Sequence, residues 1–256
     1  MSQRISSRPA ATRPDIELQP TVSVNTTKAL QSGCVHIGQM AIIATVMKSG
    51  GEYCPEHVQR LHAQFHGLAS VCLSDVTIPD VKTVPLRHDW PGWFAKMELF
   101  NPDLIQDDIL YFDLDTLIIG NPEPYLHDDR FRMLSDFYHP EKPASGMMFI
   151  PHSKKSRIWD AWMKAPQKWI QKYRGDQDVL QTICGRDVER FGSSVKSYKV
   201  HVAALGMPGW HSRRSLGTGR IPLGTDVLCF HGYPRPWDPD VLREKCFQSN
   251  TQIVTD

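Results

Sequence analysis

"MAIIATVMKSGGEYCPEHVQRLHAQFHGLASVCLSD", residues 40–75, decides the fold class. "MAIIATV" (40–46) is a short apolar run, as expected of a strand buried in a parallel sheet. "KSGGEY" reads as a Gly-rich turn. "PEHVQRLHAQFH" (55–66) reads as a helix. Pro55 falls in its first turn, Glu56 complements the helix dipole, and Val58, Leu61 and Phe65 share one face. "LASVCLSD" (68–75) is a second strand. Strand, turn, helix and strand make a βαβ unit, which points to an α/β fold with a parallel sheet.

Downstream, "WFAKMELFNP" (93–102) reads as a short helix ended by Asn-Pro, and "DILYF" as the next strand. "RMLSD" and "SGMMFI" are further strands. Residues 153–185 are helical, broken near Pro166 and Gly175. "SYKVHV" and "DVLCFHG" are late strands. Residues 1–38, rich in Ser, Thr, Pro, Arg and Gln, read as a disordered tail and 248–256 as a fraying end. One domain is expected over 39–247. A chain of 256 residues with 41% hydrophobic content suits one large core. It contains no run of eighteen apolar residues, so no membrane span is expected. The N-terminus lacks the apolar stretch of a signal peptide. None of the six cysteines forms a C-x-x-C pair. Free thiols and a cytoplasmic location are the expectation.

The net charge of +1 hides an uneven distribution. Residues 101–141 are acidic, from Asp103 to Glu141. Residues 152–174 are basic, with Lys154, Lys155, Arg157, Lys164, Lys168, Lys172 and Arg174. An acidic region beside a basic one suits a metal site that handles an anion, while most of these charges read as solvated faces. Trp159, Trp162 and Met163 share a helix face beside the basic residues. That face suits the core, or peripheral contact with an anionic surface.

Between the two regions lies "DDILYFDLDTLIIGN" (107–121). A strand alternates its side chains, so Asp113 and Asp115 point to one face and Leu114 to the other. Two carboxylates at the C-terminal end of a buried strand can hold a hard divalent cation and leave positions for water and substrate phosphates. Such a triplet is also common by chance. A second reading is a haloacid-dehalogenase-type phosphatase with Asp113 as nucleophile. That motif reads Asp-x-Asp-x-Thr/Val and opens its domain. Here Leu117 stands at its last position, and a βαβ unit precedes it.

Taken with four other segments in order, the chain resembles GT-A glycosyltransferases, in particular the retaining family eight that includes glycogenin and bacterial lipooligosaccharide galactosyltransferases. "ILYFDLDTLI" resembles the metal-binding strand of that family. "WFAKMELF" resembles the preceding helix that supplies a basic residue, here Lys96. "ASGMMFIP" resembles the strand that passes close to the donor at Gly146. "GDQDVLQTI" is similar to the sugar-binding helix start, at Asp176 and Gln177. "FHGYPRPW" resembles the late loop that gives a third metal ligand, His231, and a phosphate-binding cation, Arg235. The chain departs from that pattern in three places. Only four positions separate His231 from Arg235, Arg235 replaces a lysine, and Ala144 stands where asparagine is frequent.

The resemblance implies a GT-A fold, a mixed and mostly parallel sheet flanked by helices. It also implies transfer of a sugar from a UDP-linked donor with retention, using Mn²⁺ or Mg²⁺ held by Asp113, Asp115 and His231. Lys96 and Arg235 would steady the leaving diphosphate. Asp176 would bind sugar hydroxyls, and Gln177 would lie beneath the anomeric carbon. Position in the fold makes Thr45, Val46, Tyr53 and Asp75 nucleoside candidates. The loop "GMPGWHSRRSLGTGR" (206–220) offers Trp210 as a platform for a sugar. A non-catalytic nucleotide-sugar-binding module fits the same residues. The acceptor stays open among a glycan, a lipid-linked sugar, a protein and a modified nucleic-acid base.

Overall fold

A seven-stranded sheet in the order β3-β2-β1-β4-β7-β6-β8 forms the centre of the molecule. A computed structural model of the chain describes residues 40–185, 188–244 and 247. The tails expected at 1–38 and 248–256, with Cys34 and Cys246, lie outside the described residues. The opening unit is β1 (Ile42–Met47), α1 (Pro55–His62) and β2 (Ser70–Ser74). Then come β3 (Thr83–Pro85), a 3-10 helix (Gly92–Phe100) and β4 (Ile109–Phe112). Strands β3, β2, β1 and β4 are parallel, as the βαβ reading requires. After β5 (Thr116–Ile118), β6 (Arg132–Ser135) and β7 (Pro143–Ile150) extend the sheet, with β7 antiparallel to both its neighbours. The helices α2 (His152–Met163), α3 (Pro166–Lys172) and α4 (Asp176–Cys184) follow, with their breaks at the expected Pro166 and Gly175. The last elements are β8 (Glu189–Arg190), β9 (Val195–Ser197), β10 (Val227–Cys229) and α5 (Pro239–Leu242).

The apolar runs of β1 and β4 are continuous because both faces of the sheet are covered. Ile43, Met47, Leu110 and Phe112 face Val58, Leu61 and Phe65 of α1 and its following turn. Ala44, Ile109 and Tyr111 face the other way, against Phe94, Met97, Trp162, Val179 and Leu180. Trp162 is thus fully buried and Trp159 packs partly against the same core, while Met163 is exposed. Lys155, expected on a solvated face, is buried too. Its Nζ donates to the carbonyls of Ile105 and Asp107 at 2.7 Å each. Burial pulls its pKa down to about 8.

Two expectations fail in instructive ways. Residues 113–115 do not continue the strand. The chain leaves the large sheet at Phe112, turns through Leu114 and Asp115, and enters a second sheet, β5-β10-β9, at Thr116. "SYKVHV" is not a strand beyond Ser197. Its residues Tyr198–Val202 wind into a π-helix, started where the Ser197 hydroxyl accepts from the Val200 amide at 3.1 Å. Among the described residues no helix is long and apolar enough to cross a membrane. Cys54, Cys72, Cys184 and Cys229 are free thiols.

Trp162 stacks on Phe94 at 5.9 Å and meets Trp90 edge-on at 5.0 Å. Trp162→Ala is expected to lower unfolding free energy by about 3–5 kcal/mol, read from urea denaturation curves with an unchanged slope.

Candidate functional site

The three-residue join between the sheets is fixed by backbone bonds at both ends. The Asp113 amide donates to Gly146 O at 2.8 Å, and the Phe230 amide donates to Asp115 O at 3.0 Å. Both carboxylates consequently reach one cavity, of about 430 Å³, although a turn and not strand alternation aims them. The size is that of a small-molecule site. Lys96, Gly146, Asp176, Gln177, His231, Arg235 and Tyr53 line it as well. The structure thus brings together every candidate that the family resemblance named in "WFAKMELF", "ASGMMFIP", "GDQDVLQTI" and "FHGYPRPW".

Lys96 organises the inner end. Its ammonium lies 2.8 Å from Asp113 Oδ1 and 3.5 Å from Asp176 Oδ2, with the side chain only 9% exposed. Burial pushes the ammonium toward neutrality, but the carboxylates of Asp113 and Asp176 outweigh it and hold its pKa above the lysine range. The Tyr111 hydroxyl donates to Asp113 Oδ1 at 2.5 Å. Burial, followed by the charge of Asp113, keeps that phenol protonated well above its ordinary range. Burial also raises Asp176, against the pull of Lys96. Gly146 passes beneath this group. A Cβ there would stand 3.4 Å from Asp113 Oδ2.

Arg235 organises the outer end. One guanidinium nitrogen pairs with Asp115, and the other two clasp Glu52 at 2.5 and 2.6 Å. The same guanidinium lies over the Tyr53 ring, 5.3 Å from its centre. Burial and the charge of Asp113 push the Asp115 pKa up to about 6, with Arg235 pulling the other way. The short loop from His231 to Arg235 does bring both groups to the cavity. His231 has φ +38 and Gly232 φ +97, so the chain turns sharply out of β10. The Gly232 amide then donates to Asp115 Oδ2 at 3.2 Å. Left-handed backbone at a non-glycine residue is a strained state that marks functional loops.

His231 itself does not join the carboxylates. Its Nε2 shares a hydrogen bond of 2.6 Å with Ser197 Oγ, and its ring stacks on Phe137. Burial drives its pKa down to about 3, which leaves the imidazole neutral. Among the described residues no three His, Cys, Asp or Glu side chains come together in a group that could hold a metal ion. The other nucleoside candidates lie off the cavity. Thr45 is fully buried against His62 Nε2, 2.9 Å away. Val46 packs beside the core. Asp75 is held by Lys48 and by the amide and hydroxyl of Ser49, which overcome burial and bring its pKa to about 2. Trp210 is not among the lining residues, whereas Trp93, Arg174, Asp136, Tyr138 and Asp178 are. Trp93 follows Pro91-Gly92, a helix-start signal that gives no hint of a cavity.

No family model matches the chain, and no curated protein matches it in sequence. Solved structures do share its fold. The glycosyltransferase GlyE of Streptococcus pneumoniae TIGR4 superposes over 78% of this chain with a TM-score of 0.52 and 12% identity. This chain spans 57% of the length of GlyE. The galactosyltransferase LgtC, in complex with donor and acceptor sugar analogues, superposes over 83% of this chain and 97% of its own, with a TM-score of 0.51 and 14% identity. The bifunctional glycosyltransferase WbbM matches over 83% of this chain and 51% of its own, with a TM-score of 0.52 and 9% identity. The architecture is therefore the GT-A one that the sequence motifs implied.

Lys96→Met leaves the Asp113 and Asp176 carboxylates without their buried cation. A loss of about 3–5 kcal/mol is expected near neutral pH. The lysine contribution itself is present at all pH values below its ordinary pKa of 10.5, because its folded value is raised. In the variant, a raised carboxyl binds its proton more tightly in the folded state, so stability falls as pH rises. Denaturation of both proteins across the acidic range checks this: the gap narrows toward low pH.

Proposed function

We propose that the protein is a glycosyltransferase that moves a sugar from a nucleotide-sugar donor, UDP-linked, to an acceptor hydroxyl with retention at the anomeric carbon. The observation that carries the reading is the convergence of Lys96, Asp113, Asp115, Asp176, Gln177 and Arg235 on one cavity. Its setting in a fold shared with solved glycosyltransferases supports it.

In this reading, Tyr53 and Arg235 receive the nucleoside diphosphate at the outer end. Arg235 has the planar fork that suits phosphate oxygens, and it would exchange Glu52 for the diphosphate. Lys96 lies at the inner end, beside the group that gains negative charge as the C1–oxygen bond breaks. Asp176 accepts from the sugar hydroxyls. Gln177 offers its carbonyl oxygen to the positive charge that grows on C1. The acceptor oxygen bonds to C1, its proton passes to the departing phosphate, and the nucleoside diphosphate leaves.

A divalent cation, Mn²⁺ or Mg²⁺, fits the two carboxylates but not the imidazole. Asp113 and Asp115 are hard oxygen donors in one cavity, while His231 Nε2 is committed to Ser197. The charge balance also favours a cation. Two basic groups, Lys96 and Arg235, are paired with four carboxylates, Asp113, Asp176, Asp115 and Glu52, which leaves 4 − 2 = 2 net negative charges where a diphosphate must sit. When bound, such an ion supplies Lewis-acid stabilisation to the leaving diphosphate. The fold, shared with solved glycosyltransferases, favours this reading over the phosphatase one.

A panel of nucleotide sugars with Mn²⁺, read as release of free nucleoside diphosphate, tests the function. One UDP-sugar is expected to turn over, and Asp113→Ala and Asp115→Ala to lower the rate at least a hundredfold, about the loss seen when one charge-stabilising group is removed. Turnover at full rate in EDTA would overturn the metal assignment. Saturating Mn²⁺ with UDP is further expected to raise Tm by about 5 °C near pH 7.5. That shift should fade as pH falls through about 6, where Asp115 takes up its proton, and should be absent in Asp113→Asn/Asp115→Asn.

A further inference from the structure

Trp93 is the exposed aromatic at the rim of the cavity. It is 60% exposed, yet it belongs to a 3-10 helix whose residues from Phe94 to Phe100 are all buried. Two glycines set it there. Gly92, at φ +52, takes the left-handed conformation that lets the chain turn into the helix with Trp93 outward. Gly175 forms its seat. A Cβ at Gly175 would stand 3.3 Å from Trp93 Cε3 and 3.7 Å from its Cβ, so a side chain there would push the indole off its present seat by a few tenths of an ångström. Gly175 is followed directly by Asp176 and Gln177, the residues assigned to the transferred sugar. The indole thus rests on the segment that carries the reacting end of the site and is largely open to solvent.

We infer that Trp93 is the platform of an acceptor subsite, and that the acceptor group it takes is a pyranose ring. The inference rests on the glycosyltransferase reading for the word acceptor, but not for the binding itself. A pyranose presents a face of C–H bonds, which packs on an indole, and a rim of hydroxyls, which needs donors and acceptors around it. Arg174, Asp178, Asp136 and Tyr138 line the same cavity and supply both. Arg174 makes no ion pair among the described residues, and its guanidinium is free to serve neighbouring hydroxyls. The carboxylates of Asp136 and Asp178 set this mouth against a phosphate-bearing strand, which would otherwise stack a base on the same ring. Trp210, offered by the sequence for this task, does not line the cavity.

The subsite is tested by binding and by turnover separately. Saturation-transfer NMR on the full chain would use methyl β-galactopyranoside, methyl α-glucopyranoside and methyl α-mannopyranoside, with thymidine and a Ser/Thr peptide as the other arms. At least one pyranoside is expected to show contact through its ring C–H protons. Trp93→Ala should weaken that binding about tenfold, and Trp93→Phe should restore most of it. Gly175→Ala should weaken it too, by lifting the indole. In turnover, the pyranoside that binds should speed nucleoside diphosphate release by wild type, and Trp93→Ala should raise its KM more than it lowers kcat. Binding of no pyranoside, equal binding by Trp93→Ala, or saturation of thymidine or the peptide in their place would each overturn the assignment. Trp93-dependent pyranoside binding in a protein that hydrolyses no nucleotide sugar would instead overturn the proposed activity and leave the carbohydrate subsite standing.

Discussion

Lys96 is the interaction on which the site depends. Asp113 leaves the central sheet and Asp176 begins a helix, so the two acids come from distant parts of the chain and meet at the inner end of the cavity. Asp176 is buried and Asp113 is half-buried beside it, so a cation between them offsets their repulsion and the cost of burial. Lys96 supplies it, 2.8 Å from one and 3.5 Å from the other. The lysine can stay there because its helix is buried from Phe94 to Phe100, which fixes the backbone that carries it. Arg235 repeats the arrangement at Asp115. The cavity is thus two clusters of ion pairs, one closed toward the core and one open toward Glu52 at the surface.

Topology makes the rest follow. The chain crosses from a seven-stranded to a three-stranded sheet between Phe112 and Thr116, and the Asp-Leu-Asp triplet is the crossing. Ligands in open α/β sheets gather at the carboxyl ends of strands. Here that end is also where β10 returns alongside β5 and delivers the His231–Arg235 loop to the opposite wall. The donor and acceptor ends of the proposed reaction are therefore built from different segments. The donor end uses charged groups held by one another. The acceptor end uses an exposed indole held by a glycine.

The opening βαβ unit was legible because each of its segments repeats its apolar pattern at one period, and the sheet covers both faces of β1. The residues that gather at the cavity were legible as a group through the order of their motifs. What was not legible depends on contacts far apart in sequence. Nothing local in "DLDTLI" shows that the strand ends at Phe112. The Phe230 amide holds Asp115 O at the break, from the residue just after β10, more than a hundred positions later. "SYKVHV" alternates like a strand, yet Ser197 caps a π-helix with its own hydroxyl. His231 was matched to a metal by its place in a motif, but Ser197 holds its Nε2. Thr45 sits on β1 and Asp75 just beyond the end of β2, where a nucleoside was expected, and His62, Lys48 and Ser49 hold them. Trp93 carried no signal, because its use depends on Gly175, a residue that no sequence pattern sets beside it.

The most direct test of the account is a crystal of the protein soaked with UDP and Mn²⁺, with data collected at the manganese absorption edge. The account predicts one anomalous peak between the Asp113 and Asp115 carboxylates, diphosphate oxygens beside it, and Arg235 turned from Glu52 to the phosphates. Nucleotide outside the cavity, or manganese away from both carboxylates, would contradict it.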